Sequence, residues 1–69
     1  MKNYLQKLRK QHKLTQQELG EKMKVTRQTI IAIENGKFNP SVILAIKISR
    51  FFGVPVDEIF IVEDYDNED

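Results

Sequence analysis

This sequence predicts an all-α architecture: a compact bundle of five short helices. Apolar residues recur at intervals of three and four, and β-branched alternation is weak until residues 59–62. Thr15, Thr26 and Asn39 stand ahead of apolar runs, where helices need a cap. Gly36 and Gly53 stand behind two of them, where helices stop. A chain of 69 residues has room for one small core and buries about 60% of its unfolded surface.

The first helix is expected from Asn3 to His12, with Leu5 and Leu8 inward and Lys7 and Lys10 toward solvent. The second opens at Thr15. Thr15-Gln16-Gln17-Glu18 has the form of a capping box, in which the hydroxyl takes the Glu18 amide and the carboxylate reaches back. It runs to Met23, with Leu19 and Met23 facing the core. The third is capped by Thr26 and runs to Asn35, with Ile30 and Ile33 inward and Gly36 as its stop. The fourth is expected to use Asn39 as its cap and Pro40 as its first residue, and to run to Phe52. Its expected buried stripe is Val42, Ala45, Ile48 and Phe52. A short fifth helix covers Pro55 to Phe60. Ile59-Phe60-Ile61-Val62 can leave it as a short strand paired with Met1 to Asn3.

Only Lys24 and Val25 separate the second and third helices. Two helices joined so tightly cross steeply, as a helix-turn-helix. Gly20 is small where they cross, and Val25 plugs the turn. Arg27, Gln28 and Thr29 are then left outward on the first turn of the third helix, with Ile31 and Ala32 on the next. Arginine bonds the O6 and N7 of guanine together, glutamine the N6 and N7 of adenine, and threonine offers a hydroxyl and a methyl. Gln16, at the start of the second helix, stands where a phosphate is held. Thr26 is a cap first. The loop Asn35-Gly36-Lys37-Phe38-Asn39 reaches toward the adjoining backbone.

The formal charge of +1 hides an uneven distribution. Residues 1–50 carry all 11 Lys and Arg and three acids, whereas residues 51–69 carry seven acids and no base. A basic body suits a polyanion, and residues 63–69 read as an acidic, mobile tail after a domain of residues 1–62. The tail reads as solubilising, and a sharper hypothesis from the charge split is that it tunes DNA affinity by competing for the basic face. There is no cysteine, and His12 is the single histidine, a surface or helix-end residue. Disulfides, thiolate chemistry and a structural zinc site are thereby set aside. No nucleophile–base pair stands out, so an enzyme is not expected, nor is a cofactor or a small-molecule ligand. No apolar run approaches a membrane span, and a cytoplasmic location is expected.

The stretch TQQELGEKMKVTRQTIIAIENGK from Thr15 to Lys37, followed by FNPS and LAIKISRFFGVPVDEIF, resembles the Cro- and lambda-repressor-like (Xre-type) helix-turn-helix regulators. The likeness covers about Leu5 to Phe60 and is strongest to small stand-alone members. It implies a transcriptional repressor acting as a homodimer on an inverted repeat in double-stranded DNA, with the third helix in the major groove. It implies Gln16 as a phosphate and base-edge contact, Arg27, Gln28 and Thr29 as the reading turn, and the Asn35 to Lys37 backbone and Asn39 as phosphate contacts. It also implies a partly buried pair between Arg9 and Glu34. Lys24 departs from the family pattern, standing at a turn position often filled by glycine. Ile31 and Ala32 replace residues that are usually polar.

The fourth helix is apolar nearly all round. At about 100° per residue, Val42, Ile43, Leu44, Ala45, Ile46 and Ile48 cannot all face one core. The excess, assigned to Ile43, Phe51, Ile59, Phe60, Ile61 and Val62, is expected to form a dimer surface. It also supports the runner-up reading, an interaction module or antitoxin-like partner binder on the same fold.

Overall fold

The computed structural model describes residues 1–63. Its elements are β1 (Lys2–Asn3), α1 (Leu5–Gln11), α2 (Gln16–Met23), α3 (Arg27–Glu34), α4 (Val42–Phe52), α5 (Val56–Ile59) and β2 (Phe60–Ile61). The helices enclose one core whose fully buried members are Leu5, Leu19, Ile30, Ile33, Ile48 and Ile59. β1 and β2 pair antiparallel, with Lys2 opposite Ile61 and Asn3 opposite Phe60. The mostly helical fold and the short terminal pairing agree with the sequence reading. The acidic tail expected over residues 63–69 lies, from residue 64 onward, outside the described residues.

α1 begins two residues later than expected because Asn3 is drawn into β1. Its side chain does the work of a cap from there: Oδ1 accepts from the Leu5 amide (3.1 Å), and Nδ2 donates to the Ile33 carbonyl (2.8 Å). One asparagine thus ties the strand to the ends of α1 and α3. α2 carries the full capping box, with the Glu18 amide on Thr15 Oγ1 (3.0 Å) and the Thr15 amide on Glu18 Oε1 (2.9 Å). These bonds satisfy amides that have no partner inside the helix.

α4 corrects the sequence reading. Its cap is Ser41, whose hydroxyl accepts from the Leu44 amide (3.1 Å), and not Asn39. Pro40 stands outside the helix. Ser41 is extended (ψ 161°) with its oxygen in reach of the third helical amide, the geometry that an N-cap needs. Leu44 joins Ala45, Ile48 and Phe52 in the buried stripe, and Val42 is 77% exposed. As the first helical residue, Val42 points back along the axis and away from the core. α5 also ends one residue early, because Phe60 turns into β2.

Ile59 and Phe60, expected on a dimer surface, belong to the core of the subunit, at 0% and 6% exposure. The strand pairing folds this segment inward against α4, so neither side chain is offered to a partner. Ile43 and Phe51 are exposed, Val62 is exposed, and Ile61 is half-buried.

Candidate nucleic-acid interface

The α2–α3 corner is built from small and left-handed residues. A Cβ on Gly20 would lie 2.8 Å from the Val25 carbonyl oxygen, closer than carbon and oxygen tolerate. Only glycine lets the two helices cross at this distance without a shift. Lys24 takes the left-handed conformation (φ 60°, ψ 42°), and the next amide, Val25, bonds back to the Gly20 carbonyl (2.9 Å). A lysine therefore fills the turn position where glycine is common, at a steric cost of about 1–2 kcal/mol.

α3 opens on Thr26, whose Oγ1 accepts from the Thr29 amide (3.3 Å) and meets the Thr29 hydroxyl at 3.1 Å. Ile30 and Ile33 anchor the inner face at zero exposure. Thr26, Arg27 and Gln28 remain exposed on the opposite side, and Thr29 is half-buried. Thr26, Gln28, Thr29 and Ala32 share a shallow depression of about 280 Å³ with Phe38. Phe38 is a member that the sequence reading passed over as a loop residue. It is carried there because the Lys37 and Phe38 amides both bond the Ala32 carbonyl (3.0 and 3.2 Å), folding the loop back along α3. A single aromatic residue inside an otherwise polar loop was the signal available in sequence; in the fold its ring is 51% exposed.

The remaining candidates stand apart from this depression. Asn35 caps the end of α3 and lines a second hollow with Gly36, Met1, Lys2 and Asn3. Lys37 and Asn39 are exposed on the loop toward α4. Gln16 is half-buried at the start of α2, and its Nε2 donates to Glu34 Oε1 (3.2 Å). Glu34 is the partner of Arg9: Nε donates at 2.6 Å and Nη2 at 3.2 Å, with side-chain exposures of 10% for Arg9 and 2% for Glu34. Arg9 Nη1 also donates to the Leu14 carbonyl (2.9 Å), just ahead of the α2 cap. One ion pair thus registers α1, α3 and the start of α2. Such a pair adds little net stability over an apolar replacement, so its use is in fixing the arrangement.

At the mouth of α2, the Thr15 backbone amide and then the Thr15 hydroxyl hold the Glu18 carboxyl below its usual range, with the Lys22 charge a smaller aid. Among the described residues no group of three or more His, Asp or Glu could hold a metal. No described helix is long and apolar enough to cross a membrane.

Residues 5–59 match the sequence model of the helix-turn-helix family. The chain is 58% identical over 64 residues to an uncharacterised HTH-type transcriptional regulator of Methanocaldococcus jannaschii, covering 93% of this chain and 97% of that one. It is 42% identical over 64 residues to the HTH-type transcriptional regulator YgzD of Bacillus subtilis, again across 93% and 97%. It also matches the HTH-type transcriptional activator BcrR of Enterococcus faecalis, at 42% over 55 residues, which is 80% of this chain and 27% of that protein. With the capping box, the tight corner and the Arg9–Glu34 pair in the expected places, the chain belongs to the Xre-type helix-turn-helix family, a family of transcriptional regulators and not of enzymes.

Proposed function

We propose that this protein binds double-stranded DNA in a sequence-specific way, as a homodimer on an inverted repeat, and represses transcription by occupying that site. The observation that carries the reading is the first turn of α3. Arg27 and Gln28 are exposed there on a helix end whose opposite face is anchored by Ile30 and Ile33. Their side chains match guanine and adenine edges in the major groove. Thr26 and Thr29 flank them, Gln16 lies at the start of the crossing helix, and Asn35, Lys37 and Asn39 are assigned to the sugar–phosphate backbone. Half-sites would then lie about 34–36 Å apart.

The dimer surface is assigned to the outer side of α4, where Val42, Ile43, Ile46 and Phe51 are exposed, together with Ile61 in β2 and Val62 just after it. This apolar face also supports the second reading, a partner-binding module with DNA contact secondary. Sedimentation separates the two: a symmetric dimer fits the regulator, an aggregating monomer the missing partner. A cytoplasmic location follows from the DNA reading. Residues 1–62 form the binding domain, and the acidic segment from Glu63 competes with DNA for the basic face. β2 runs toward Met1, whose carbonyl lies against Gly36 in the assigned phosphate loop. This run of β2 toward the loop supports the reading that the acidic segment competes there.

The test is a pair of substitutions read against a selected duplex. Arg27→Ala should relax discrimination at one base pair by about 5- to 150-fold. Lys37→Ala should weaken all sequences alike and lower the salt slope by about one. A uniform loss in both variants would contradict the division of roles.

A further inference from the structure

We infer that the seam between α2 and α4 is a docking groove for a short amphipathic helix of a partner protein, with apolar residues on its inner face and Asp or Glu along its flanks. The groove lies apart from the surface assigned to DNA and stands whether or not α3 reads a duplex. Two hollows of about 300 and 400 Å³ adjoin along the seam and share Met23, Lys24 and Lys47. Phe38 and Ile43 line the first, and Phe51 lines the second. Ile43, Lys47 and Phe51 recur every four residues on α4, so they form one stripe beside α2, whereas Val42 and Ile46 turn to the other side. Phe51 is 39% exposed and is held by an edge contact with the buried Phe52 ring, their centroids 5.0 Å apart. It is a fixed apolar anchor, and it passes from the dimer surface to this groove.

Charge decides the occupant. Lys22, Lys24, Lys47 and Arg50 line the second hollow, all exposed, and none forms an ion pair among the described residues. The two acids of α2 are engaged elsewhere, Glu18 by Thr15 and Glu21 by Gln17. A second copy seated here would bring two sets of four cations face to face, and like charges so placed disfavour pairing. A duplex backbone would meet the cations but presents phosphates, not side chains, to Met23 and Phe51. Met23 also lies about 10 Å along α2 from Gln16, at the end away from the assigned DNA contact. An acidic amphipathic helix meets the cations and the apolar floor together. From Ile43 to Phe51 the seam runs about 12 Å, the length of two helical turns. Both walls are helices and neither offers a strand edge, so the segment lies in the groove as a helix and does not extend a sheet.

The experiment is selection by the full chain from a phage-displayed library of random peptides about 16 residues long. Enriched peptides should carry apolar residues three and four apart, flanked by Asp or Glu. The synthetic peptide should move the amide NMR signals of Met23, Lys24, Lys47 and Phe51, and leave those of Arg27 and Gln28 in place. Phe51→Ala should weaken it about 10-fold or more. Lys47→Gln with Arg50→Gln, both on exposed positions, should weaken it by about 3- to 30-fold. The same double variant should leave the salt slope of random-duplex binding as it was. A selection that enriches nothing, or peptides without acids, overturns the proposal. So does a peptide whose shifts fall on Arg27 and Gln28. A duplex salt slope that drops by about one for each cation removed would make the groove a phosphate contact instead. Phe51→Ala that weakens self-association in sedimentation would return Phe51 to the dimer. Should Phe51→Ala fail to fold, the double glutamine variant and the amide shifts decide.

Discussion

Thr15 and Glu18 hold each other by two hydrogen bonds, and the pair sets a pH dependence. The Thr15 amide, then its hydroxyl, keeps the folded Glu18 carboxyl below its usual range. The unfolded group titrates at the ordinary value, so the unfolded chain binds this proton more tightly. The stabilisation is therefore whole above the ordinary carboxylate range and is lost as pH falls through the lowered folded value. Glu18→Gln keeps an oxygen acceptor and removes the titration. The acid limb of a thermal-unfolding series from about pH 7 to about pH 2 should flatten in that variant; an unchanged limb would count against the role. This pair was legible because its partners are three residues apart. Arg9 and Glu34 are 25 apart, and only the family likeness pointed to them. The tie from Gln16 to Glu34 was not visible at all, since nothing local brings the start of one helix to the end of the next.

Elements were legible where a local rule acts alone. α2 and α3 have their expected caps and inner faces, because a threonine followed by an apolar pattern leaves few alternatives. α4 was misplaced by two residues because Asn39-Pro40 and Ser41 both make acceptable starts, and the packing of Leu44 selects the second. The turn between α2 and α3 carries the one strained lysine of this corner. Lys24→Gly should relieve the left-handed conformation. The gain is partly offset by the greater freedom of glycine in the unfolded chain, leaving a stabilisation of up to about 1 kcal/mol. Urea unfolding measures it, and a destabilised variant would show that the Lys24 side chain contributes more than its backbone costs.

At the scale of the molecule, apolar residues exceed what one core takes in. Ile43 and Ile46 are 68% and 42% exposed on α4. Ile43→Asp with Ile46→Asp should leave the helical circular dichroism intact and weaken self-association by about 10-fold or more in sedimentation equilibrium. A variant as associated as the wild type would move the interface elsewhere. The charge split is the second property of this scale. Replacing Asp64, Asp66, Glu68 and Asp69 by their amides should tighten binding to random duplex and steepen its salt dependence. Identical isotherms across salt would reject a competing acidic segment.

Local chemistry in the sequence determined the helices, the tight corner of α2 and α3 and the turn that faces outward, because capping, periodicity and chain connectivity act over a few residues. Tertiary packing alone decided that Ile59 and Phe60 are core, that Val42 is surface, that Phe38 joins the α3 face and that Glu34 holds Gln16. Each of these depends on which distant groups compete for the same buried space or the same hydrogen bond, and that competition exists only once the chain has closed on itself.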